Sequence, residues 1–240
     1  LNISFNENKI TDLGELAGDQ EFINVPGAQE HGQAILGLGQ SVGLFYGYKT
    51  DGIWQQDDFT WDGNQYVINT DEDGVSLPSR PGAQPGMWKM RDINGDNEIN
   101  DEDFTVIGSA QPDFTFGFNT RVAYKNFDFS VFAEGSYGRK VLNANKLFLI
   151  QQPNPNANGI VHDYWRPIQY ELNPDGTENR DVVLDPGNIN APYPSRETSA
   201  TTNFETHDGY LEDASFLRLK NITLGYTLKD LPFANSIRVY

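Results

Sequence analysis

The run Phe114–Tyr137 constrains the fold more than any other stretch of the chain. From Phe114 to Tyr124 the residues alternate, with Phe114, Phe116, Phe118, Thr120, Val122 and Tyr124 on one face and Thr115, Gly117, Asn119, Arg121 and Ala123 on the other. After Lys125-Asn126 the alternation resumes. Phe127, Phe129, Val131, Ala133, Gly135 and Tyr137 share one face, and Asp128, Ser130, Phe132, Glu134 and Ser136 share the other. Two period-two runs parted by a two-residue turn predict a β-hairpin. Length narrows the choice: strands of globular proteins have a mode of about 5–6 residues, and each run alternates over 11. At about 3.3 Å per residue such a strand spans roughly 36 Å, and a tilt near 45° projects it to about 25 Å, the height of the apolar band of an outer-membrane barrel. Phe114, Tyr124, Phe127 and Tyr137 stand near the strand ends, where interfacial aromatic girdles belong. A soluble β-sandwich, whose hairpin lays its apolar face on a second sheet, fits the same alternation. Pattern alone leaves both architectures open.

The rest of the chain reads as strands and long loops, an all-β antiparallel composition. Val42–Trp54 begins as a strand and runs into a loop; Phe216–Leu228 alternates imperfectly and meets the breaker-rich Lys229–Asn235, with Ser236–Tyr240 as its partner. Leu1–Asn6 is already strand-like, and Ser236–Tyr240 reads as a strand cut short, so the chain is expected to be a fragment. Long polar segments rich in Pro and Asn fill about 55–108 and 151–209, and loops of that length are uncommon in compact domains unless they are functional. No run approaches the 18 or more apolar residues of a membrane helix, which leaves strands as the only route across a bilayer.

Charge is one-sided. There are 34 Asp and Glu against 17 Lys and Arg, a net charge of −17, which disfavours nucleic acid as a partner. Between Asp51 and Asp103 lie 13 acidic residues and only Arg80, Lys89 and Arg91 as cations. Within this block Asp92, Asn94 and Asp96 occupy positions 1, 3 and 5 of a calcium-loop spacing. Glu98 offers a carbonyl at position 7, Ile99 is the apolar position 8, and Asp103 closes at 12. Position 6 is Asn97 in place of Gly and position 12 is Asp in place of Glu. An acidic turn held by Asx hydrogen bonds without metal fits the same residues. His31, His162 and His207 have no spacing that suggests zinc or a triad and read as incidental, and the chain has no cysteine. Carboxylate pairs such as Asp57-Asp58 come without an identifiable cleft, so no enzyme activity is expected.

Several runs resemble SusC/RagA-type TonB-dependent outer-membrane transporters. The strongest is Met90–Asp103 with Val106-Ile107-Gly108 and Gln111–Phe114, followed by Phe116–Asn119, Asn126–Phe132 and Glu134–Gly138. Tyr210–Tyr226 is a second signature, and Tyr164-Trp165-Arg166-Pro167 with Tyr193–Arg196 is similar to that family's Trp-x-Pro segment. Order and rough spacing agree over about residues 37–240. The resemblance implies that residues 1–240 are part of a transmembrane, up-and-down β-barrel of roughly 22 strands, with the long loops extracellular. The plug domain, TonB box and terminal strand would lie outside this chain. It further implies active nutrient import, with glycans as cargo, at the outer membrane of a Bacteroidetes-like Gram-negative cell. Expected partners are the TonB-ExbB-ExbD complex, a SusD-like surface lipoprotein and outer-membrane lipid, and no cofactor beyond a candidate Ca2+ is called for. Asn119, Arg121, Asp128 and Glu134 would line the lumen. Trp54, Trp61, Tyr66, Trp88 and Trp165 would be available to stack on sugar or meet the lid, unless they pack against the barrel rim. The rival expectation is a soluble, calcium-stabilised, carbohydrate-binding β-sandwich at the cell surface.

Overall fold

A computed structural model describes residues 1–15, 18, 22–26, 33–62, 65–71, 74–146, 163–195 and 206–240. Strands in chain order are β1 (Asn2–Ser4), β2 (Phe22–Pro26), β3 (Gln33–Gly37), β4 (Leu44–Gly47), β5 (Thr50–Ile53) and β6 (Phe59–Trp61). They continue with β7 (Tyr66–Ile68), β8 (Trp88–Met90), β9 (Thr105–Ser109), β10 (Phe114–Tyr124), β11 (Phe127–Tyr137) and β12 (Lys140–Leu142). The last are β13 (Gln169–Leu172), β14 (Glu178–Asp185), β15 (Leu211–Asp213), β16 (Phe216–Leu231) and β17 (Ala234–Val239). All pairings between these strands are antiparallel. Among the described residues no helix is long and apolar enough to cross a membrane, which says nothing of crossing by strands.

The dominant element is an antiparallel wall in the order β1-β10-β11-β16-β17. The alternation of β10 and β11 sets its faces, because each apolar residue of one strand faces an apolar or small residue of the other: Phe116 opposite Gly135, Phe118 opposite Ala133, Val122 opposite Phe129. A side chain on Gly135 would collide with the Phe116 ring, so the glycine leaves room for the aromatic above it. The same face continues through Leu224 and Ile222 of β16 and Ile237 of β17. One bulge interrupts it. The register shifts between Phe132 and Ala133 opposite Asn221 and Leu219, leaving Lys220 as the extra residue, which is why β16 alternates imperfectly in sequence.

Both short turns lie at one end of the wall. Lys125 takes φ 54, the sign that primed two-residue hairpins demand of their first position, and the Thr227 N–H donates to the Asn126 carbonyl at 2.8 Å. The breaker-rich segment after β16 is narrower than the sequence suggests. Strand pairing persists to Leu231 opposite Ala234, leaving only Pro232-Phe233 as the turn. At the other end, near Phe114, Tyr137 and Phe216, the chain leaves on its long excursions.

Those excursions are folded. The described part of 55–108 holds β6, β7, β8 and most of β9, and that of 151–209 holds the β13-β14 hairpin. Residues β2-β3-β4-β9 form a four-stranded sheet, and the buried core sits in this region. One cluster joins Trp54, Phe59 and Met87, a second Tyr48, Met90 and Ile99, and a third Tyr164 and Tyr210. The two excursions are braided together. The Tyr48 N–H donates to the Thr206 carbonyl at 3.0 Å, the Asp208 N–H to the Tyr48 carbonyl at 3.1 Å, and the Ser195 N–H to the Gly86 carbonyl at 2.7 Å. Gly86 needs to be glycine on two counts: its φ is 86, and a Cβ would press into Trp165 and Ser195.

Candidate functional site

Three groups of residues singled out by sequence fall into different environments. On the polar face of the wall, Asn119, Arg121, Asp128 and Glu134 share one side with Ser130, Thr223 and Thr227. Asp128 is the organising member. It accepts from Arg238 Nε at 3.1 Å and lies 3.9 Å from the Arg121 guanidinium. Glu134 pairs with Lys220 at 3.0 Å, which is the residue displaced by the bulge. The apolar face is uncovered: Val122 is 57% exposed, Leu224 64% and Leu217 72%, and no sheet of the described residues lies over it. The uncovered face argues against the β-sandwich, which would bury it.

The aromatics divide. Trp54 and Trp165 are 2% and 3% exposed, so the expectation that they meet ligand or lid is corrected: they are core residues. Trp54 packs on Phe59 with the Lys89 ammonium 4.3 Å from its ring, and the Trp165 Nε1–H donates to Gln55 Oε1 at 3.0 Å. Trp88 is half-buried against His207 and Tyr210. Trp61 and Tyr66, by contrast, form an exposed edge-on pair with centroids 5.0 Å apart, held opposite each other by β6 and β7. They line a solvent-open groove that reaches across to Gly176–Glu178 and Arg180 of the β13-β14 hairpin. Arg180 bridges the two hairpins, with Nη1 2.9 Å from Asp57 and Nε 3.5 Å from Glu178. Thr60 Oγ1 donates to Asn69 Oδ1 at 2.7 Å beside them. Burial, reinforced by the Glu178 charge, pushes the Tyr66 phenol up, so it stays a hydrogen-bond donor. An aromatic pair ringed by amide, hydroxyl, carboxylate and guanidinium groups suits a polyhydroxylated ligand.

The acidic loop closes on itself. Asp92 accepts from the Gly95 N–H at 2.6 Å and the Asn97 N–H at 2.8 Å, and Asp96 accepts from the Glu98 N–H at 2.9 Å. Asn97 adopts φ 68, the left-handed geometry its place in the loop requires. Asp103 is fully buried and accepts from the backbone of Ile93 at 2.7 Å and Asn100 at 2.9 Å, clamping the two ends of the loop. Among the described residues no three His, Asp or Glu side chains converge as a cation cage. The side-chain oxygens of Asp92, Asn94, Asp96 and Asp103 thus accept from backbone N–H groups of the loop itself.

His207, which reads as incidental in the sequence, is 0% exposed and central. Its ring stacks 4.1 Å from Tyr210 and 4.8 Å from Trp88. Nδ1 accepts from the Gly209 N–H at 3.1 Å, which places the proton of the neutral ring on Nε2. Burial, with Lys146 nearby, lowers its pKa to about 3. Neither spacing nor pattern marks it, because Trp88, which packs on its ring, stands 119 residues earlier in the chain. His31 and His162 lie outside the described residues.

No protein-family model matches the chain. Curated relatives do. TonB-dependent receptor P3 of Formosa agariphila is 32% identical over 96% of the chain, and TonB-dependent receptor P26 of the same organism is 30% identical over 95%. TonB-dependent receptor P39, also from Formosa agariphila, is 30% identical over 99%. The chain belongs to the TonB-dependent receptors. It spans only about a fifth of the length of these relatives, 19%, 20% and 23% respectively. As a receptor segment its two-faced wall has a simple meaning: the antiparallel, all-β sheet is barrel wall, apolar toward lipid and polar within. The polar face and the groove stand on different parts of one segment, the wall and the folded excursions.

Proposed function

We propose that this receptor segment serves active import of nutrients across the outer membrane, within a SusC/RagA-type transporter that takes up glycans. The observation that carries the reading is the Trp61-Tyr66 groove, standing on the excursion end of a wall whose other end has only two-residue turns. Long connections on one side and short turns on the other are the extracellular and periplasmic sides of an outer-membrane barrel. A polyhydroxylated chain meeting the groove would lay an apolar sugar face on Trp61 while its hydroxyls bond Asn69, Thr177 and Arg180. In this reading a SusD-like lipoprotein covers the excursions as a lid. TonB-ExbB-ExbD supplies energy through parts of the receptor beyond this segment. The role is transport, not catalysis.

The test uses the full-length receptor in its native membrane. A Trp61→Ala variant should keep normal surface abundance and lose about tenfold in oligosaccharide affinity, since removing a stacking surface costs on the order of 1.4 kcal/mol. Growth on that oligosaccharide should depend on both the receptor and TonB. Unchanged affinity in the variant would remove the groove from the reading, and TonB-independent growth would remove active import.

A further inference from the structure

The chain is acidic, yet the polar face of the wall is not. Register places Arg121, Arg218, Lys229 and Arg238 on that face, and Lys220 joins them through its contact with Glu134. Against these five cations stand two described carboxylates, Asp128 and Glu134. Asp128 is also the recessed member of its cluster. The Asp128 side chain is 11% exposed, whereas the Arg121 and Arg238 side chains that flank it are 66% and 43% exposed. Asp128 thus works as a pin that holds two guanidinium groups in place with most of their donors directed away from it. Glu134 holds Lys220 in the same manner. Arg218 rests over the Phe216 ring, 5.2 Å from its centroid. On the opposite face the outward positions from Phe114 to Tyr137 and from Leu217 to Leu228 are apolar, small or hydroxyl-bearing and carry no compensating charge. A low-dielectric backing behind a row of one sign focuses the potential on the open side. The acidic excursions, with 13 carboxylates between Asp51 and Asp103, do not cancel it at short range, since the Debye length is about 8 Å at physiological salt.

We propose that the polar face of this wall is an anion-attracting track, and that the cargo drawn along it carries carboxylate or sulfate groups. The proposal rests on the import reading and deepens it by naming the charge class of the cargo. Arg121, Arg218 and Lys220 are the residues that set the preference, with Asp128 as the positioning residue.

The test reads the local potential directly in the full-length receptor. Asn119→Cys is placed on the polar face and Val122→Cys on the apolar face, in a background free of other accessible thiols. Each is modified with an anionic sulfonate and a cationic trimethylammonium methanethiosulfonate. Relative to a free thiol, the anionic reagent should be favoured about tenfold at Asn119→Cys in low salt. The preference should shrink as salt rises and when Arg121→Gln and Lys220→Gln are added. A ratio equal to that of the free thiol, or one favouring the cation, overturns the proposal. Reaction at Val122→Cys with none at Asn119→Cys overturns the import reading instead, because the polar face would then not be water-lined. For cargo, an oligogalacturonate, its methyl ester and a sulfated oligomer of equal length are compared as competitors of modification. Slowing by the acid or the sulfated chain but not the ester is expected, and which of the two acts separates carboxylate from sulfate. Equal slowing by the ester, or none by either anion, overturns the track as a cargo path.

Discussion

At the scale of single residues, two buried polar groups decide how the excursions hold together. Asp103 satisfies the backbone of Ile93 and Asn100 from a site without solvent. Asp103→Ala should cost about 1.5–3 kcal/mol for each charge-assisted bond lost, read as faster amide exchange across residues 92–103. Added calcium should leave that exchange unchanged in the wild type. His207 makes a pH prediction with a definite sign. Its folded pKa is about 3, below the unfolded value of about 6.5, so the folded state refuses a proton that the unfolded state accepts. Stability is then full above about pH 6.5 and falls by about 1.4 kcal/mol per pH unit toward 3, where it levels off. Amide exchange at 206–210 between pH 7 and 5 should show this slope, and His207→Phe should flatten it. Asn97 and the Asx bonds of its loop were legible in the sequence because they are local. His207 was not, since its burial arises from Trp88 and Tyr210 meeting across the two excursions.

At the scale of elements, the β10-β11 hairpin is legible in the sequence to the residue, turn included, because alternation and a two-residue turn are both local signals. β16 was harder. Its bulge at Lys220 breaks the parity of the alternation, so a strand that runs from Phe216 to Leu231 reads as shorter and less regular. The two faces make opposite predictions for substitution. Phe118→Arg, on the uncovered apolar face near the middle of β10, should destabilise the barrel by about 2–4 kcal/mol at mid-depth, while Thr223→Arg on the polar face should be tolerated. Heat resistance of the folded band in detergent electrophoresis distinguishes them. The excursions carried less sequence signal, because β6, β7 and β8 are three residues each and too short for any period to show.

At the scale of the whole molecule, the segment reverses the usual soluble arrangement: large apolar side chains of the wall are exposed and the buried core lies in the excursions. In the full-length receptor a fluorophore at Leu224 should be quenched by brominated lipid, and one at the adjacent Thr223 should not; equal quenching would contradict the assignment of faces. The alternating pattern, by itself, determined that two long strands pair, which residues share a face and where the turn falls, since side-chain direction in a strand follows from period two alone. The ordered runs determined the family. Tertiary structure alone decided that the apolar face is left exposed among the described residues, that Trp54 and Trp165 are core while Trp61 and Tyr66 face solvent, and that Asp128 pins arginines from two different strands. Burial and ion pairing across distant segments depend on where the chain returns in space, and no local period records that.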